Sequence, residues 1–244
     1  MLELKDVTHA FADGRPVLQE ISLQVTDGEF VAVVGRSGAG KTTLLKLCNA
    51  MALPQQGSVW VNGQCLSRCS GRTLRLLQQK IAVIYQDFCL VPQSTVLQNV
   101  LNGALYRNSF WRVMTGCFPE QEVSCAKASL EKVGMAGKAD SPASSLSGGE
   151  QQRVAIARAL MQRAEIILAD EPVASLDPVT AGQVLSLLKH LQQEQKLTVI
   201  MNSHNTAQAA RFADRIVGLR QGRIVNDAPV SLWDEAAFAA VYGA

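Results

Sequence analysis

The segment from Gly35 to Thr42 restricts the possible folds of this chain more than any other part of its sequence. It reads Gly-Arg-Ser-Gly-Ala-Gly-Lys-Thr, follows the apolar run Phe30–Val34 and precedes a helix-like run at residues 43–48. Glycines let backbone N–H groups curl around an anion without Cβ clashes, and the N-terminus of the next helix adds partial positive charge. The spacing predicts a phosphate loop in which Lys41 reaches the β- and γ-phosphates of a nucleoside triphosphate and Thr42 offers its hydroxyl to Mg²⁺. The alternative is an ordinary Gly-rich turn.

The composition narrows the class of protein. A chain of 244 residues with 48% hydrophobic residues can bury a large core, and its formal net charge of +2 gives no electrostatic argument for nucleic acid. No apolar run approaches the roughly 20 residues that a membrane span needs, and the N-terminus does not resemble a signal peptide. The six cysteines form no C-x-x-C pair, which favours reduced thiols over zinc ligands or disulfides. We therefore expect a soluble protein of the cytoplasm.

Three kinds of segment follow one another along the chain. Residues 2–34 alternate apolar and polar residues between turn signals, which predicts successive strands. Helical periodicity begins at Val96, and from Ile166 short apolar runs alternate with helical segments, which indicates a parallel sheet with crossover helices. We predict an α/β fold in a single domain of residues 1–244. Its parts are a P-loop NTPase core with a parallel sheet (1–85 and 147–244), an antiparallel β subdomain at the N-terminus, and an α-helical insert (approximately 86–146).

A second segment carries two adjacent acids at the end of an apolar run. Ile166-Ile167-Leu168-Ala169 is followed directly by Asp170 and Glu171. The carboxyl end of a buried parallel strand lies beside the ligand site in folds of this type. In phosphoryl-transfer sites the first acid holds Mg²⁺, usually through water, and a neighbouring acid can take a proton from the attacking water. We therefore predict that Asp170 orients the metal and that Glu171 is the general base; the alternative is a solvated strand end.

A third segment, Leu146-Ser147-Gly148-Gly149-Glu150, precedes a helix-like run at residues 151–160. Ser147 with Glu150 three residues later forms the pattern of a capping box, which by itself indicates only a helix start. Two glycines that expose N–H groups at a helix N-terminus also favour a second anion site.

Together these motifs strongly resemble those of the ATP-binding subunit of ABC transporters. The resemblance rests on the phosphate loop, the L-S-G-G-E-Q-Q-R signature, the strand ending in Asp-Glu, Ser175-Leu176-Asp177 and the lone His204, and it covers essentially the whole chain. Two departures are Glu150, where glutamine is more frequent, and the Asn202-Ser203-His204-Asn205 setting of the histidine. The resemblance implies an ABC ATPase with ATP and Mg²⁺ as its ligands.

The resemblance also implies roles for single residues. Gln86 would touch Mg²⁺ and the attacking water, and His204 would contact the γ-phosphate, whereas Phe11 either stacks on adenine or is a core phenylalanine. The expected catalytic residues are Lys41, Gln86, Glu171 and His204. The expected metal contacts are Thr42, Gln86 and Asp170. The expected nucleotide contacts are Phe11, Gly35, Arg36, Ser37, Gly38, Ala39, Gly40, Lys41, Thr42, Thr43, Ser147, Gly148, Gly149 and Asp177.

The same resemblance implies partners. The signature residues would contact the γ-phosphate held by the opposite subunit, so a second copy of the chain would pair head to tail, with Asp177 at the interface. Import is favoured over repair or translation roles, because the insert is compact and there is one cassette. That assignment implies integral membrane permease subunits and, indirectly, a periplasmic solute-binding protein as partners, and no nucleic acid. It also implies a peripheral position on the cytoplasmic side of the inner membrane.

Other stretches of the sequence resemble the ATP-binding subunit of phosphonate importers. They are the stretch from Val96 to Leu105, Ser109-Phe110-Trp111-Arg112, and the tail from Trp233 to Gly243. The Trp111/Phe118 segment is either a surface that docks the permease or a small satellite core. Uptake of phosphite or another solute stays open, as does a non-transport role beside a carbon–phosphorus lyase.

Overall fold

The computed structural model of the protein describes residues 1–11 and 14–243, apart from the side chain of Phe110. The strands are β1 (Leu2–Ala10), β2 (Pro16–Val25), β3 (Phe30–Val34), β4 (Gln56–Val61), β5 (Gln64–Cys65), β6 (Ile81–Ile84), β7 (Ile166–Asp170), β8 (Thr198–Ser203), β9 (Arg215–Arg220) and β10 (Arg223–Pro229). The α-helices are α1 (Lys41–Cys48), α2 (Gly71–Gln78), α3 (Val96–Leu101), α4 (Phe110–Thr115), α5 (Glu120–Lys132), α6 (Gly148–Met161), α7 (Pro178–Gln195), α8 (Thr206–Phe212) and α9 (Glu235–Tyr242). Short 3₁₀ helices cover Leu66–Arg68, Asn102–Arg107, Ala136–Lys138, Ala143–Ser145 and Val230–Leu232.

Two sheets organise the molecule. The larger has the strand order β10-β9-β3-β8-β7-β6, in which β9, β3, β8, β7 and β6 pair in parallel and β10 joins antiparallel at the edge. The smaller is antiparallel, in the order β2-β1-β4-β5. The α/β fold with a parallel core sheet and an N-terminal antiparallel sheet is confirmed. The sequence did not predict β10, α2 or α9.

The central strand β3 explains why its sequence is a continuous apolar run. All five of its residues are fully buried, because both faces of the sheet are covered. Phe30, Ala32 and Val34 pack into one core, with helices α3, α5, α6 and α7. Val31 and Val33 point the other way, into a second core shared with α1 and the antiparallel sheet. The phosphate loop therefore leaves a strand that is held on both faces.

Residues 86–146 hold α3, α4 and α5, as the helical periodicity predicted. Gly103 marks how closely this segment lies on α6, since a Cβ there would come within 2.4 Å of the carbonyl oxygen of Arg158. Trp111 is 76% exposed, whereas Phe118 is half-buried against the main core. Of the two aromatic residues of the Trp111/Phe118 segment, one therefore lies at the surface and the other against the main core.

Two further sequence expectations concern the whole chain. All six cysteines, which lie within the described residues, are free thiols. Across residues 1–11 and 14–243, no helix combines the length and the apolar character required to cross a bilayer.

Candidate active site

The strand order brings distant segments to one edge of the larger sheet. Strands β3, β8 and β7 are neighbours and run in the same direction, so their carboxyl ends meet. Lys41 follows β3, Asp170 ends β7 with Glu171 after it, and His204 follows β8. A site can therefore be assembled from segments that are far apart in the sequence.

The phosphate loop is a narrow turn over the end of β3. A Cβ on Gly35 would come within 2.2 Å of the carbonyl oxygen of Leu219, so this position accepts no side chain. Gly40 has φ of 106°, which favours glycine, and it begins α1 without a side-chain cap. The first N–H groups of α1 therefore have no capping side chain and are available to an anion.

Lys41 is held beneath this loop. Its side chain is buried, and Nζ donates to the carbonyl oxygens of Gly35 (2.8 Å) and Arg36 (3.3 Å). These bonds place the ammonium group at the loop, where a phosphate group would gain a charge-assisted hydrogen bond.

An open groove of about 270 Å³ lies in front of the loop. Phe11 lines it and is 55% exposed, so it is not a core residue. An exposed aromatic ring beside a phosphate loop fits a nucleotide base, because such a ring offers a flat face for stacking. Several residues predicted from the sequence come together on this groove: Phe11, Ser37, Gly38, Gly40, Lys41, Thr42, Thr43 and Glu171.

The oxygen atoms at this edge suit Mg²⁺. The hydroxyl of Thr42 donates to Oδ1 of Asp170 at 3.2 Å, which places an alcohol and a carboxylate side by side. No cluster of three or more acidic, histidine or cysteine side chains that could hold a metal occurs within residues 1–11 and 14–243. Mg²⁺ commonly binds through one or two protein oxygens together with substrate phosphates, so this set fits it. Gln86 is exposed in the turn after β6 and does not line the groove.

Glu171 and His204 form a pair beside the loop. Oε2 of Glu171 accepts a hydrogen bond from Nδ1 of His204 at 3.1 Å, and Oε1 lies 3.7 Å from Nζ of Lys41. Because Nδ1 is the donor to a carboxylate, Nε2 remains for another partner. The backbone of Glu171 has φ of 49°, a left-handed conformation that turns the chain sharply after β7.

The signature segment forms the start of α6, as predicted. Oγ of Ser147 accepts from the N–H of Glu150 (3.4 Å), and the Glu150 carboxylate accepts from the N–H of Ser147 (3.0 Å). A Cβ on Gly149 would come within 2.3 Å of Cγ2 of Thr180, so α6 lies directly against α7. Ser147, Gly148 and Gly149 are absent from the lining of the phosphate-loop groove, and one copy of the chain does not bring the signature to it.

Asp177 has a structural task in the single chain. Its carboxylate caps α7 by accepting from the N–H groups of Val179 and Thr180, both at 3.0 Å. These hydrogen bonds, those from Thr180 foremost, hold the pKa of Asp177 below its usual value. Contact with nucleotide remains a prediction for this residue.

Sequence reasoning assigned no role to two residues near the site. Tyr242 on α9 has its hydroxyl 3.5 Å from the carbonyl oxygen of His204. Helix α9 is held there by Val241, which packs so closely that a Cβ on Gly218 would lie 2.4 Å from it. Asn202 donates from Nδ2 to Oδ1 of Asp170 at 2.7 Å. Its polar side chain inside an apolar strand was the available signal, whereas nothing local marked Tyr242.

Known proteins share the sequence and the fold of this chain. The family model described as ABC transporter matches residues 18–174. The phosphonates import ATP-binding protein PhnC 1 of Halalkalibacterium halodurans is 45% identical over 243 residues, which cover 100% of this chain and 95% of that protein. CbiO1 of Clostridium perfringens, part of an ABC transporter complex, superposes with a TM-score of 0.85 at 26% identity, covering 97% of this chain and 92% of the other. A dimeric ATP-binding cassette in a post-hydrolysis state with ADP and phosphate has a TM-score of 0.81 at 31% identity, covering 94% and 99%.

Proposed function

Because this chain belongs to the ABC transporter family, we propose that it is the ATP-hydrolysing subunit of an importer for phosphonate-like oxyanions. The observation that carries the proposal is the 45% identity, along the whole chain, to a phosphonates import ATP-binding protein. The similarity extends through the helical insert and the tail, where the sequence resembled this class of importer.

ATP is the substrate of the groove in front of the phosphate loop. The loop N–H groups and Lys41 bind the triphosphate, since both offer donors and positive charge at one place. Phe11, which lines the groove and is exposed, stacks on the base. Arg36 and Ala39 complete the loop, and Thr43 lies on the first turn of α1.

Hydrolysis uses the residues at the ends of β7 and β8. Glu171 takes a proton from the attacking water, and the hydrogen bond from His204 orients its carboxylate. Thr42 and Asp170 would hold Mg²⁺, which would supply charge stabilisation on the phosphate oxygens. Gln86 would reach this site only after a rearrangement of the turn that carries it, because it is exposed outside the groove.

A complete site needs two copies of the chain. Ser147, Gly148 and Gly149 do not line the groove of their own copy, so they serve the nucleotide of the partner. The solved dimeric cassette that resembles this chain supports such an assembly. ATP then holds two copies together head to tail, and loss of the γ-phosphate lets them part.

The output of this cycle is passed to membrane subunits. The helical insert, residues 86–146, contacts an integral permease, and the exposed Trp111 is its proposed anchor. The chain accordingly acts as a peripheral protein on the cytoplasmic side of the membrane, and a solute-binding protein delivers the oxyanion from outside.

Uptake by cells tests this proposal. A strain that lacks the gene is complemented with the wild type or with Glu171→Gln, and uptake of a radiolabelled alkylphosphonate is measured with unlabelled phosphite or phosphate as competitor. We expect uptake from the wild type alone, although both proteins co-purify with membrane subunits. If phosphite competed and phosphate did not, phosphite would replace phosphonate as the proposed solute. Co-purification with soluble lyase proteins and equal uptake in all strains would reject an import function.

A further inference from the structure

Asn202 lies on β8, between β3 and β7, and the ends of all three strands contribute to the active site. In β8 its Cα is in register with Asp170 of β7 on one side and with Val33 of β3 on the other. Side chains at paired positions of parallel strands point to the same face of the sheet. The strand order therefore places an amide group directly beside the Asp170 carboxylate.

The amide makes a specific hydrogen bond. Nδ2 of Asn202 donates to Oδ1 of Asp170 at 2.7 Å, a length typical of a bond to a charged acceptor. The reverse orientation would put the amide oxygen against a carboxylate oxygen, so only Nδ2 suits this position. Because Asn202 is 0% exposed, its side chain has little freedom to leave Asp170.

The same asparagine is unfavourable for stability. Its Oδ1 is buried and has no hydrogen-bond partner among the described residues. A buried acceptor without a partner destabilises the folded state, whereas an apolar side chain would avoid the penalty. The preceding residues of β8, Val199, Ile200 and Met201, are apolar and buried. Stability alone therefore does not account for asparagine at this position.

We propose that Asn202 is a positioning residue that fixes Asp170 for Mg²⁺. The inference rests on the proposed Mg²⁺–ATP site. Oδ1 of Asp170 also accepts from Thr42, whose hydroxyl is needed at the metal. When that hydroxyl turns away, Asn202 keeps the carboxylate oriented. Residues that orient metal-binding groups in this way contribute about 10- to 100-fold to metal affinity.

Binding of the non-hydrolysable analogue AMP-PNP tests the inference without any turnover. Calorimetry in EDTA and in excess Mg²⁺ gives two dissociation constants, and their ratio is the contribution of the metal to binding. We expect this ratio to fall at least about tenfold in Asn202→Val and in Asn202→Ala, with the affinity in EDTA unchanged. The melting temperature of Asn202→Val should not fall, because the unpartnered acceptor is gone.

Thr198→Val is the matched control on the same strand. The hydroxyl of Thr198 accepts from the N–H of Gly28 at 3.0 Å, at the opposite end of β8 from Asp170. This variant should melt at a lower temperature, but the ratio of its dissociation constants in EDTA and in Mg²⁺ should be unchanged. An unchanged ratio in both Asn202 variants, or equal losses of affinity in EDTA and in Mg²⁺, overturns the inference. If the wild type binds AMP-PNP with the same affinity in EDTA and in Mg²⁺, the proposed metal site itself is rejected, and the inference with it.

Discussion

Replacing Glu171 by glutamine separates proton transfer from geometry. Glutamine keeps the size of the side chain, and its Oε1 still accepts a hydrogen bond from Nδ1 of His204, now 3.1 Å from the carboxylate. It cannot accept the proton of the attacking water. Loss of a general base typically lowers turnover by about 10²- to 10⁴-fold, and we expect a loss in that range.

The same substitution should strengthen nucleotide binding. Oε1 of Glu171 lies 3.7 Å from Nζ of Lys41, so the carboxylate competes with phosphate for the ammonium group. Coulomb's law gives about 1 kcal/mol for this attraction in water and about 4 kcal/mol at an effective dielectric constant of 20. The lower energy, that for water, applies because Glu171 lines a groove open to solvent. Removing about 1 kcal/mol of competition predicts roughly fivefold tighter ATP binding.

The assay combines calorimetry with steady-state ATP hydrolysis on the same preparations. Sedimentation in Mg²⁺–ATP should also show the variant accumulating as a dimer, since the closed state hydrolyses its ATP only slowly. Near wild-type turnover would refute Glu171 as the base. Slow turnover with weaker ATP binding would instead indicate that the substitution disturbed the loop, and would refute the electrostatic reasoning.

Three further substitutions test other parts of the molecule. Lys41→Ala should weaken ATP binding about 10- to 100-fold by calorimetry, because a charge-assisted hydrogen bond is lost; equal affinity would contradict its role at the phosphates. Gly149→Ala should lower the free energy of unfolding in urea by about 1–3 kcal/mol, since its Cβ would come within 2.3 Å of Thr180, and unchanged stability would show that α6 and α7 separate easily. Trp111, which is 76% exposed, should be replaceable by alanine without loss of melting temperature but with reduced phosphonate uptake; normal uptake with a lower melting temperature would assign it to packing.

The sequence predicted those parts of the molecule whose structure depends on residues close together in the chain. The buried strand β3, the loop after it and the capping box of α6 each depend on residues that are close in sequence. The approach of Thr42 to Asp170 spans 128 positions, yet it follows once the strands are parallel and their carboxyl ends coincide.

Contacts set by tertiary packing could not be predicted in this way. The hydroxyl of Tyr242 reaches His204 only because α9 folds back on β9. The half-burial of Phe118 beside the exposed Trp111 depends on where the insert meets the core. The register that places Asn202 beside Asp170 needs the strand order, which the sequence left open.

The left-handed backbone at Glu171, with φ of 49°, sets a limit on engineering. A residue with a Cβ in this conformation carries about 1–2 kcal/mol of strain that glycine would relieve. Selection for heat resistance alone could relieve this strain with glycine at position 171, and the resulting protein would lack the carboxylate that takes a proton from the attacking water. Variants selected for higher thermal stability therefore have to be tested for turnover as well as for melting temperature.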